Sequence, residues 1–228
     1  MDPISIAILV IAGLAYAINY IAQEIELKDK VINLLKIYSK EITTIRRQKM
    51  DAYVDEPCDT RMQQACADLL RHEFPQGIVK KFATMKSLEE RRAFMADLIH
   101  RVANVMGVDV NEVTFSEGQE GSYGYYRYRD QATGNISKQV WMNNVYLASE
   151  PEQVVRTMLH ELRHGVQSQA LFETDQWGFS ARRKAEWLSN ETSYVNCTEA
   201  YKLQEQELDA DVFAERVLNK VNHKQAES

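Results

Sequence analysis

Apolar residues recur along most of this chain at the three-and-four spacing of amphipathic helices. The exception is a middle stretch rich in aromatic and β-branched residues. Val154, Val155, Met158, Leu159, Leu162 and Val166 mark one helix face. Ser149-Glu150-Pro151-Glu152 before them has capping-box spacing, with Pro in the first turn. Leu203, Leu208, Val212, Phe213, Val217 and Leu218 mark another helix, expected to start near Asn196 with Asn196 and Glu199 as its capping box. Residues 60–72 and 87–106 read as two more, the second with Phe94, Leu98, Val102 and Val105 on one face. Between them, 112–117, 123–129 and 136–143 read as strands, the last two joined as a hairpin through Asp130–Asn135. The pattern predicts an α+β fold, predominantly helical with a small antiparallel sheet.

The N-terminal end has a different texture. Residues 4–22 carry no charge, about the length that spans a bilayer. A single-span anchor over 1–22 is expected; a cleaved signal peptide, disfavoured by Asp2 and the missing basic n-region, and a buried helix are the alternatives. Lys28, Lys30, Lys36, Lys40, Arg46, Arg47 and Lys49 follow the run and none precedes it. The positive-inside rule then puts the rest of the chain in the cytoplasm; a soluble cytoplasmic protein is the alternative. Leu27, Val31, Leu35, Tyr38, Ile42 and Ile45 form a short coiled-coil-like seam, so 23–50 reads as a helical stalk that either pairs two copies through 27–45 or packs on its own domain. Residues 51–228 are then left as one globular domain.

Formal charge of −6 and pI near 5.5 argue against general nucleic-acid binding. Cys58, Cys66 and Cys197 lack C-x-x-C spacing, which disfavours a cysteine-type structural zinc site. Four Pro and nine Gly suit a helical chain.

The chemistry concentrates in His160-Glu161-Leu162-Arg163-His164. On a helix, His160 and His164 share a face one turn apart and can chelate one zinc ion, while Glu161 reaches a water the metal activates and serves as general base. They fall beside the apolar stripe, at the boundary between core and cleft. Gly165 follows as either a close-packing point or a weak spot in the helix.

A catalytic zinc site needs a third protein ligand. Gln167 and Ala170 stand where a metzincin has Gly and His, which excludes that class. Glu207 is the preferred carboxylate: Asp211 lies four residues on, placed to orient a ligand imidazole. Asp209, Asp211, Glu205 and Asp175 are its rivals, and 207–211 read equally as a solvated acidic face.

HELRH followed by ELDADVFA resembles the gluzincin pattern H-E-x-x-H … E-x-x-A-D of HtpX-like membrane peptidases and the small soluble minigluzincins. The second segment is also similar to the ImmA/IrrE group, which acts on regulatory proteins. The resemblance covers roughly residues 110–220. It implies a zincin-like domain over 51–228, zinc held by His160, His164 and Glu207, Glu161 as base, Asp211 behind the ligands, and a protein or peptide substrate. It also implies that the last strand, 136–143, is a sheet edge to which an extended substrate adds. Tyr194, Tyr201, His223 or a hairpin Tyr would stabilise the oxyanion. Residues 171–193 connect the two metal-bearing helices, with Arg182-Arg183-Lys184 expected as a solvated basic face. The rival function is a non-catalytic membrane-tethered interaction protein on the same scaffold.

Overall fold

In a computed structural model of the chain, residues 28–119, 121–130, 133–192 and 201–225 are described. They are mostly helical with one three-stranded sheet. The order is α1 (Lys28–Asp51), α2 (Pro57–Glu73), α3 (Ile78–Ala83), α4 (Leu88–Met106), β1 (Glu112–Ser116), β2 (Gly124–Arg129), β3 (Ile136–Asn143), α5 (Asn144–Ser149), α6 (Pro151–Phe172), α7 (Ala181–Thr192), a 3-10 turn (Tyr201–Leu203) and α8 (Glu205–Gln225). Residues 4–22 lie outside the described residues. Among those described, no helix is long and apolar enough to cross a membrane.

Two compact units divide the chain, one of 1–53 with 188–208, the other of 54–187 with 209–228. The first contains α1, whose Tyr38 and Ile45 are exposed. Within it Lys49 Nζ meets Glu205 Oε1 at 2.8 Å.

The second unit carries the larger core. Met62, Cys66, Leu70, Met95, Leu98, Val102, Met158, Leu162, Phe213 and Val217 are buried together in it. Helix α4 is capped by Ser87, which accepts from the Glu90 amide, and Gly107 closes it in the left-handed conformation at φ 65°. Phe74, Phe82 and Phe94 pack around one another at centroid separations of 5.8–6.5 Å.

The strands fall close to their expected bounds, but their order corrects the reading of the sheet. β3 is central, antiparallel to β2 and parallel to β1, so the sheet is mixed and 136–143 is not an edge. β1 reaches β3 only by a crossover that β2 interrupts. Such long-range pairing has no local sequence signal, because the pleat alternation is the same at edge and centre.

Two helix starts also differ from expectation. Ser149 does not cap α6: it is the last residue of α5, its hydroxyl donating to the Val145 carbonyl, and Glu150 is the cap with no side-chain hydrogen bond. Pro151 does sit in the first turn of α6. Helix α8 begins at Glu205 and Leu203 belongs to the 3-10 turn before it; the expected Asn196 cap lies outside the described residues.

Candidate metal centre

Helix α6 supplies most of the site. Its stripe of Val154, Val155, Met158, Leu159, Leu162 and Val166 is buried as predicted. Much of the remaining circumference is buried too, through Thr157, Arg163, Gln167, Ser168 and Gln169. His160 and His164 stay partly accessible. Gly165 is a close-packing point, against a different neighbour from the second ligand-bearing segment. A Cβ there would stand 2.6 Å from Val108 Cγ1 and 3.2 Å from the Tyr126 ring. Gly124 does the same for the strand: its absent side chain lets β2 approach Thr157.

The two imidazoles converge. His160 Nε2 and His164 Nε2 are 3.1 Å apart. Two nitrogens bound to one tetrahedral zinc at 2.0–2.1 Å stand about 3.3 Å apart, so the pair has the spacing that ion requires. Ligand atoms of His160, His164 and Glu207 all lie within 4.8 Å of one another. Glu207, on the first turn of α8, is buried. The donor set of two imidazoles and one carboxylate fits zinc.

The neighbouring groups fix the imidazoles from behind. His160 Nδ1 faces Asp211 Oδ1 at 3.3 Å, and Asp211 also accepts from Arg156 Nη2 at 3.3 Å. His164 Nδ1 lies 2.8 Å from Gln167 Oε1. Glu161 is buried beside its helix neighbours, and its Oε2 accepts the Tyr126 amide of β2 at 2.9 Å. That bond orients the carboxylate of the candidate base.

The rival ligands are engaged elsewhere. Glu205 pairs with Lys49 and Asp175 with Lys184. Asp211 stands behind His160. Asp209 is buried and accepts from Arg163 Nε at 2.7 Å, Arg163 Nη2 at 2.9 Å, Arg183 Nη1 at 2.9 Å and Gln167 Nε2 at 2.7 Å. The 207–211 run is therefore not a solvated acidic face. Nor is 182–184 a solvated basic one: Arg182 is exposed, but Arg183 is buried and held by Asp209 and by the Val54 carbonyl.

Arg163, the fourth residue of the motif, is the group that sequence reasoning passed over. It is fully buried and also donates to Asp59 Oδ1 at 2.6 Å. The rings of Phe179, Trp187 and Phe213 stand 5.0, 5.4 and 5.0 Å from its guanidinium carbon. Burial alone would raise the Asp209 carboxyl; Arg163, Arg183 and Gln167 reverse this and hold it below the usual carboxylate range. Asp59 goes the other way: burial outweighs Arg163, and Asp209 adds to the rise. A charged residue inside a helix gives no sign of such burial in its sequence spacing.

His72 and His100 are ordinary exposed helix residues. Of the oxyanion candidates, Tyr194 lies outside the described residues, as does the side chain of His223. Tyr201 is half-buried in the 3-10 turn.

No family model, curated protein or solved structure matches this chain.

Proposed function

We propose that the chain is a gluzincin-type zinc peptidase, with His160, His164 and Glu207 as ligands and Glu161 as general base. The observation that carries this reading is the convergence of two Nε2 atoms at 3.1 Å, with the Glu207 carboxylate beside them and both Nδ1 atoms facing oxygen acceptors. His160, His164 and Glu207 would hold zinc, which would supply Lewis acidity to a peptide carbonyl and to a water. Glu161, oriented by the Tyr126 amide, would take the water's proton as its oxygen bonds to the carbonyl carbon and give that proton to the amine as the C–N bond breaks. Asp211 keeps His160 in its ligating tautomer.

The substrate is a peptide or protein in extended form. It adds to β2 rather than β3, since β2 is the edge strand that faces α6. Anchoring through 4–22, with the peptidase on the cytoplasmic side, and pairing through 27–45 complete the proposal. Fractionation of the full-length chain and its molar mass in detergent test them.

The decisive experiment is zinc stoichiometry and peptidase activity on wild type, His164→Ala, Glu207→Ala and Glu161→Gln. One zinc per wild-type chain is expected, with a marked loss of binding in the two alanine variants. Glu161→Gln retains zinc and loses activity. Full activity in Glu161→Gln would sink the catalytic assignment, and zinc binding unchanged by Glu207→Ala would move the third ligand elsewhere.

A further inference from the structure

Asp209 receives four donors, two on each carboxylate oxygen. Arg163 Nη2 and Arg183 Nη1 reach Oδ1; Arg163 Nε and Gln167 Nε2 reach Oδ2. Guanidinium nitrogens only donate, so between two of them Asp209 is an acceptor at both oxygens. The Gln167 group that faces it is therefore the amide nitrogen. A planar amide that turns its nitrogen to Asp209 turns its oxygen the opposite way. That oxygen lies 2.8 Å from His164 Nδ1. An amide oxygen only accepts, so Nδ1 carries the proton and Nε2 bears the lone pair. Hydrogen-bond logic thus assigns both the amide orientation and the imidazole tautomer from one fixed point, a carboxylate pinned by two arginines.

We infer that Gln167 is a positioning residue for the metal centre. It transmits the acceptor character of Asp209 to His164, holding that ring with Nε2 unprotonated and aimed at His160 Nε2. This rests on the metal-centre reading for its consequence but not for its geometry. It differs from the role of Asp211, which receives His160 Nδ1 directly. The two histidines are oriented by different chemistries: His160 by a carboxylate, His164 by a neutral amide whose direction is set one bond further away. Gln167 is buried, so water does not compete readily for the bond. Arg163 lies between the two histidines in sequence and is linked to the second of them through Asp209 and Gln167.

The test reads the tautomer in metal-free protein and the zinc affinity separately. Imidazole 15N–1H correlation spectra are recorded near pH ~8.5, where an ordinary imidazole is neutral, with His164 assigned from a His164→Asn spectrum. Wild type should show His164 protonated on Nδ1. Gln167→Met, similar in length and without hydrogen-bonding capacity, should lose that fixed state. It should also weaken zinc binding by roughly 10–100-fold in chelator competition. Wild-type His164 protonated on Nε2 overturns the inference, whatever the variant does. So does a folded Gln167→Met with unchanged tautomer and unchanged zinc affinity. A wild-type Nδ1–H tautomer in a chain that binds no zinc upholds the Gln167 relay and refutes the metal centre, so the two failures are distinct.

Discussion

Replacing Arg163 with Met tests the account of how the motif helix is held. The guanidinium is wholly buried, hydrogen-bonded to Asp59 and Asp209, and ringed by Phe179, Trp187 and Phe213. Met keeps most of the apolar volume and its ring contacts, so the packing loss is small. What disappears is the charge that faces two buried carboxylates; Arg183 remains for Asp209, at 2.9 Å, and stands 4.0 Å from Asp59. Removing one partner of a buried ion pair costs about 3–5 kcal/mol. Against a total stability of about 5–15 kcal/mol this is a third or more in most cases. For a chain of this size it corresponds to a fall in thermal midpoint of about 6–20 °C. The assay is thermal and urea unfolding with chelator present, so that metal binding does not enter.

Asn substitutions at the two carboxylates check the partition of charge. Asp209 has a depressed pKa, so its charged form is favoured in the fold. That stability is present above the usual carboxylate pKa and is lost as pH falls below it. Asp59 has a raised pKa, so its charge is disfavoured at neutral pH, and neutralising it relieves a cost. At pH 7, Asp59→Asn should therefore cost less than Asp209→Asn. A change under about 0.5 kcal/mol for Arg163→Met, the range of ordinary surface substitutions, or the opposite order of the two Asn variants, refutes this account.

Two further perturbations follow from the packing. Gly165→Ala should destabilise by up to about 2 kcal/mol in urea unfolding: its Cβ meets Val108 Cγ1 at 2.6 Å, an overpacking cost of about 1–3 kcal/mol from which a helix-propensity gain of about 1 kcal/mol is subtracted. A higher unfolding midpoint for the variant would show that the contact relaxes freely. Burial pushes the Cys66 thiol up to about 12, so peptide mapping after treatment with a thiol reagent at neutral pH should find it unmodified in folded protein and labelled in denaturant. Rapid stoichiometric labelling of native protein would contradict its burial. With the pKa raised, the contribution of Cys66 to stability is intact below about 9 and declines as pH rises toward about 12.

Much of the site is legible in the chain because it is local. His160 and His164 share a face by helical spacing alone, and so do Glu207 and Asp211 once 205–225 is helical. The strands at 112–116, 124–129 and 136–143 follow from residue type and turn chemistry, and α6 from its apolar stripe and Pro151. The strand order is different in kind. That β3 is central and β2 the edge depends on which strands meet across the fold, and periodicity carries no information about that. Charge is the other gap. Asp59, Arg163, Arg183 and Asp209 look like solvent-facing residues in sequence, yet the fold buries them together and turns Gln167 into a link between them and His164. Sequence spacing places the imidazoles on one face; the tertiary fold decides what stands behind each ring, Asp211 behind His160 and, behind His164, Gln167 held by a cluster of buried charges arriving from α2, α6, α7 and α8.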